Sequence, residues 1–128
     1  MLDHTGFAVT DFERSKAFYQ AALAPLSIGL ILELSAEQTG SEAAAGFGSD
    51  GRPYFWIGDG GAASDGLHFA FTARSRAEVD AFHQAALRAG GRDNGAPGLR
   101  PHYHENYYGA FVLDPDGVNI EAVCHRPE

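Results

Sequence analysis

Apolar and polar positions alternate over residues 2–9, with Phe7 and Val9 on one face and His4, Gly6 and Ala8 on the other; this predicts a strand. Thr10-x-x-Glu13 then reads as a capping box opening a helix that runs to about Ala22 and stops before Pro25. A strand is expected over 26–34, with Leu26, Ile28, Leu30, Leu32 and Leu34 on one face, followed by a polar loop over 35–43. Short strands are expected at 44–48 and 54–58, joined by a Ser49-Asp50-Gly51-Arg52 turn. The glycine-rich stretch 58–66 lacks the Lys-Ser/Thr ending of a phosphate loop and reads as a linker. The second half repeats the order. A strand at 67–73 sets Phe69 and Phe71 against His68, Ala70 and Thr72, and Ser75-x-x-Glu78 caps a helix ending near Gly90-Gly91. A Gly/Pro-rich loop over 93–101 precedes strands at about 107–113 and 118–124, joined by the Asp114-Pro115-Asp116-Gly117 turn.

The similarity of the halves extends to identities. At an offset of 64 residues, 4–23 aligns with 68–87 without gaps, and eight of twenty positions agree, among them His4/His68, Phe7/Phe71 and Phe18/Phe82. About one agreement is expected by chance. The chain therefore reads as a single α+β domain, 1–128, made of two tandem modules, 1–64 and 65–128. Each module has one helix, which covers only one face of its sheet. The opposite face, carrying small Gly6, Ala8 and Ala70, is left open as a cup for a ligand.

Composition narrows the partners. With 9 Lys and Arg against 17 Asp and Glu, the net charge of −8 disfavours nucleic acid and anionic membranes. The longest apolar run, 26–34, is too short to span a bilayer, and no secretory signal is visible at the start. A lone Cys124, with the parity of an apolar strand face, points to an inert buried thiol and to the cytoplasm as the default compartment.

Six histidines invite a search for ligands. The repeat relates His4 to His68, and both fall on the open face. Glu121 shares a face with Asn119 and Val123, opposite Ile120, Ala122 and Cys124, so it is expected to face the cup too. Two imidazoles and one carboxylate can hold one divalent cation and leave positions vacant for substrate oxygens. The same residues also fit an exposed His4 beside Asp3, a hydrogen-bonded His68 and a solvated Glu121. The 64-residue offset places Ile57 opposite Glu121, so the fourth position reads as apolar, unless the register slips and Asp59 serves.

The segments DHTGFAVTDFERSKAFY at 3–19, LHFAFTA at 67–73 and AFVLDPDGVNIEAV at 110–123 resemble the vicinal oxygen chelate superfamily of glyoxalases, bleomycin-resistance proteins, fosfomycin-modifying transferases and ring-cleaving dioxygenases. The resemblance spans nearly the whole chain. It implies paired βαβββ modules forming a cup-shaped mixed sheet with helices outside, and metal ligands at His4, His68 and Glu121. It also implies a homodimer, in which His4 of one chain can join His68 and Glu121 of the other. Ile57 departs from the glyoxalase I pattern, which has a glutamate near that position. The loop at 100–108 does not align with the cationic pocket of fosfomycin transferases. Ring-cleaving dioxygenases are usually about twice this long, and bleomycin-binding members lack the ligands kept here.

The loop Arg100-Pro-His-Tyr-His-Glu-Asn-Tyr-Tyr108 is dense in groups that bind oxyanions or move protons. Arg100, Tyr103, His104 and Trp56 are candidates for contacting substrate. Glu121, His102, Tyr107 and Tyr108 are candidates for catalysis, though only one of the adjacent tyrosines can face the cup. The expected activity is that of an enzyme dependent on iron, manganese, zinc, nickel or cobalt, acting on a small molecule through two neighbouring oxygens, with isomerase, lyase or epoxide-opening chemistry. The alternatives are an Fe(II) ring-cleaving dioxygenase and a metal-free protein that sequesters a small molecule.

Overall fold

A computed structural model describes all 128 residues. The first module runs β1 (Thr5–Val9), α1 (Phe12–Leu23), β2 (Gly29–Leu34), α2 (Ala36–Thr39), β3 (Ala44–Ser49) and β4 (Arg52–Asp59). The second runs β5 (His68–Thr72), α3 (Arg76–Arg88), β6 (Arg92–Leu99), β7 (Tyr108–Leu113) and β8 (Asn119–Cys124). The α+β class and the two βαβββ modules are as expected. Each module builds its own four-stranded mixed sheet, ordered β1-β4-β3-β2 and β5-β8-β7-β6. In both, the first strand runs parallel to the last and the other pairs are antiparallel. No helix is long and apolar enough to cross a membrane.

Several local expectations need correction. The cap of α1 is Asp11, whose side chain accepts from the Arg14 amide; Thr10 instead turns to Asp116 of the other module. Ser75 does cap α3, but Glu78 reaches back to the Arg74 amide rather than to Ser75. The polar stretch after β2 contains α2, opened by a Ser35/Gln38 capping box. The leucines of 26–34 do not share one face. Leu26 ends a short 3-10 turn, and a bulge between Leu30 and Leu32 puts Leu30 opposite Phe47 and Leu32 opposite Gly46. The predicted loop over 93–101 is largely β6, an edge strand with two register breaks. Its position at the edge is what tolerates Pro97 and the positive φ of Gly95.

One core joins the modules. The residues of β1, β4 and β5 that face away from the cups, Phe7, Phe55, Phe69 and Phe71, pack ring against ring, with Phe7 and Phe69 stacked at 5.2 Å. Helices α1 and α3 also touch, and Val9, Phe18, Tyr19, Val79, Phe82 and Ile120 are fully enclosed. Both sheets thus turn their helix sides inward, and their open faces look away from the shared core. Buried Cys124 belongs to that core.

Candidate metal centre

The open face of the second module is built by parity. On β5, His68, Ala70 and Thr72 point outward while Phe71 is buried. On β8, Glu121 lies directly across from Ala70 and from Phe111 of β7. His68 Nε2 comes within 3.0 Å of Glu121 Oε1, and His68 Nδ1 lies 3.1 Å from the Asn119 carbonyl oxygen. That carbonyl only accepts, so Nδ1 carries a proton and donates it. In the neutral ring Nε2 then presents a lone pair to a carboxylate oxygen. Two acceptors at that distance repel unless a proton or a cation lies between them.

Glu121 is almost completely enclosed, with a side-chain exposure of 2%, and no Arg or Lys pairs with it. Its second oxygen accepts from the Tyr107 hydroxyl. Burial first, and then this bond, push the Tyr107 hydroxyl well above its ordinary range, so it is a hydrogen-bond donor at neutral pH. Gly109 makes the arrangement possible, since a Cβ there would stand 3.2 Å from both Glu121 Oε2 and the Tyr107 ring. The Phe111 ring lies nearly parallel to the His68 imidazole at 6.1 Å.

The other sequence candidates occupy different places. Tyr108 is turned to the helix side; its hydroxyl donates to Asp80 of α3, and Arg76 covers its ring. Arg100 donates to the carbonyls of Ala96, Gly98 and Gly109 and lies over Phe111, so it braces β6 against β7. His102 packs on Tyr103, which meets Tyr107 edge-on, and His104 lies against His125. His125 also packs against Tyr107. Sequence reasoning missed Phe111, His125 and the Asn119 carbonyl. Phe111 could have been found from the parity it shares with Gly109 on β7.

His4 does not join His68 and Glu121 within the chain. It is exposed, its Nδ1 is 2.8 Å from Asp3, and no three His, Cys, Asp or Glu side chains converge anywhere in the chain. It lines the open face of the first module with Tyr54 and Trp56, around a cavity of about 1030 Å³. The expectation that Ile57 is the counterpart of Glu121 is also corrected. Gly6 pairs with Trp56 as Ala70 pairs with Glu121, while Ile57 is buried in the core. Since Gly6 and Ala70 are 64 residues apart and Trp56 and Glu121 are 65 apart, one extra residue lies between the paired strands of the second module. The position matching Glu121 is therefore held by Trp56.

The family profile described as Glyoxalase/Bleomycin resistance protein/Dioxygenase superfamily matches residues 1–122. The chain belongs to this superfamily. Among solved structures of similar fold is a glyoxalase/bleomycin resistance protein from Albidiferax ferrireducens T118, with 30% identity and a TM-score of 0.80 over 95% of this chain and 97% of that one. A glyoxalase I mutant from Zea mays aligns at 23% identity and TM-score 0.72 over 95% of this chain but 46% of its own. A mutant of the fosfomycin resistance protein FosX from Listeria monocytogenes, complexed with Mn(II) and a dihydroxypropylphosphonic acid, aligns at 19% and 0.70 over 96% and 90%. At those identities the last two show the shared fold. No curated protein sequence matches the chain.

Glyoxalase-superfamily membership raises the question of a divalent metal, and the donor set of the second module fits one. A histidine whose far nitrogen is tied to a backbone carbonyl has the tautomer and orientation of a metal ligand. The enclosed, ionisable Glu121 beside it supplies an oxygen of opposite charge to a cation.

Proposed function

We propose that this chain is a divalent-metal-dependent enzyme acting on a small molecule with two neighbouring oxygens, working as a homodimer. His68 and Glu121 of one copy and His4 of the other would hold the metal. The observation that carries the reading is the close approach of His68 Nε2 to Glu121 Oε1, with the imidazole's proton committed to the Asn119 carbonyl. The structural neighbour with Mn(II) supports the choice of a divalent cation. When bound, the cation would act as a Lewis acid on the substrate oxygens.

The chain's own groups divide the remaining work. Glu121 keeps Oε1 for the site while Tyr107 holds Oε2, which fixes the carboxylate in one orientation. Tyr107 stays protonated at neutral pH, so its one hydroxyl proton remains committed to Glu121 Oε2. Phe111 flanks one face of the His68 imidazole. Such a site favours isomerase or lyase chemistry, in which a base removes a proton from a polarised substrate, or epoxide opening, in which a nucleophile adds to one.

The position of His4 supports the dimer. It stands on an open face with half-buried Leu34 and Trp56 and with Leu32 at 45% exposure, a face that another copy's second module can cover. Titration calorimetry with Mn²⁺ on metal-stripped protein tests the reading. Parent protein is expected to bind, and His68→Ala and Glu121→Gln to bind at least about tenfold more weakly. Unchanged affinity in Glu121→Gln would overturn it.

A further inference from the structure

We propose that Trp56 is a stacking platform that selects a planar aromatic ring as the body of the ligand. This deepens the reading above, because it rests on the first module's open face being part of the substrate cup. Trp56 occupies the position that pseudo-symmetry equates with Glu121, so the second acid of a symmetric site is replaced by a broad apolar ring. The backbone has been cleared to seat it. A Cβ on Gly46 would stand 2.7 Å from Trp56 Cζ2 and 2.8 Å from Cε2, so the indole lies across that glycine. A Cβ on Gly6 would stand 3.2 Å from Trp56 Cβ. An indole resting on a glycine floor is held in place and cannot sink further into the sheet. Its outer side borders the cavity that also contains His4, with Tyr54, Pro53 and Leu34 around it.

Charge argues in the same direction. The charged groups around this cavity are Asp3, already paired with His4, Asp50 and Arg52, both exposed at the β3–β4 turn, and the Met1 ammonium. The two acids balance Arg52 and the Met1 ammonium, so the cavity has no net positive charge to select an anionic body such as a phosphonate. Aromatic surface stacked on indole gains beyond its buried area, whereas a saturated ring of the same size gains area alone.

Trp56 is the only tryptophan, so its indole N–H gives one assignable signal. The test is an NMR titration of ¹⁵N-labelled, metal-stripped protein with naphthol and with decalol, the saturated alcohol of the same skeleton. Neither probe has two neighbouring oxygens, so chelation plays no part, and failure here leaves the calorimetric test of the metal site intact. The expected result is a saturable shift of the indole signal, with naphthol binding about fivefold more tightly than decalol. Trp56→Phe, followed through backbone amides of β4, should keep the preference for naphthol, and Trp56→Leu should abolish it. Gly46→Ala, which displaces the indole, should weaken naphthol binding, and the amide spectrum shows whether each variant is folded. Equal affinity for the two probes, or a naphthol preference that survives Trp56→Leu, would overturn the proposal. If Trp56→Leu does not fold, the probe comparison in the parent and Trp56→Phe decides the matter alone.

Discussion

At the scale of single residues, the site depends on which proton each group holds. Asn119 fixes the His68 tautomer through its carbonyl, and Tyr107 fixes the rotation of Glu121. Removing the Tyr107 hydroxyl leaves the carboxylate free to turn and leaves Oε2 without a partner. Tyr107→Phe is therefore expected to fold normally and to bind Mn²⁺ about tenfold more weakly, a loss readable by calorimetry. Unaltered affinity would mean that the hydroxyl positions nothing. His68 and Glu121 were legible in the sequence because strand parity decides which side chains share a face, and both halves obey it. Trp56 as the counterpart of Glu121 was not. A one-residue difference between the modules shifts every alignment past the helix, and in a strand one residue exchanges the faces. The choice between Tyr107 and Tyr108 needed the structure as well, because the strand begins only at Tyr108.

At the scale of elements, strands and helices with strong periodicity were readable, whereas elements made by pairing were not. Strand β6 is rich in Gly and includes Pro97; its extended shape comes from its ladder with β7 and from the Arg100 guanidinium beneath it, not from its own side chains. The face swap within β2 has the same origin, since a bulge leaves no trace in an all-apolar run. Close backbone approach sets two glycines. A Cβ on Gly48 would fall 1.8 Å from the Arg52 carbonyl oxygen, and one on Gly91 would fall 2.5 Å from Val112 Cγ1. Gly91→Ala is expected to cost about 1–3 kcal/mol by overpacking the contact of α3 with β7, measured as a lower urea midpoint. A midpoint equal to the parent's would contradict the packing described.

At the scale of the molecule, the two modules are held by an aromatic core and by a polar bridge at the β7–β8 turn. Tyr19 of α1 donates to buried Asp114 at 2.5 Å, and Thr10 donates to Asp116. Burial raises the Asp114 carboxyl above its ordinary value of 3.8, despite the hydrogen bonds it accepts. Its folded value therefore exceeds its unfolded one, so its favourable contribution is complete below the unfolded value and is lost as pH rises through the folded value. Asp114→Asn, which does not ionise, should show a flatter stability profile than the parent from about pH 4 to about pH 7. Urea midpoints at the two ends check this, and parallel profiles would contradict it. The bridge was invisible in the sequence because it joins residues 95 and 106 positions apart.

The same architecture turns the two open faces outward, separating His4 from His68 and Glu121 within one chain. A metal centre shared between copies can be restored by mixing two variants that are each defective in a different half of it. His4→Ala and Glu121→Ala should each bind almost no Mn²⁺ alone. Unfolded and refolded together in equal amounts, they should recover about a quarter of the parent's sites, because half of the dimers are mixed and each mixed dimer has one intact site of two. Full metal binding by His4→Ala alone, or no recovery in refolded mixtures that contain dimers, would contradict the account.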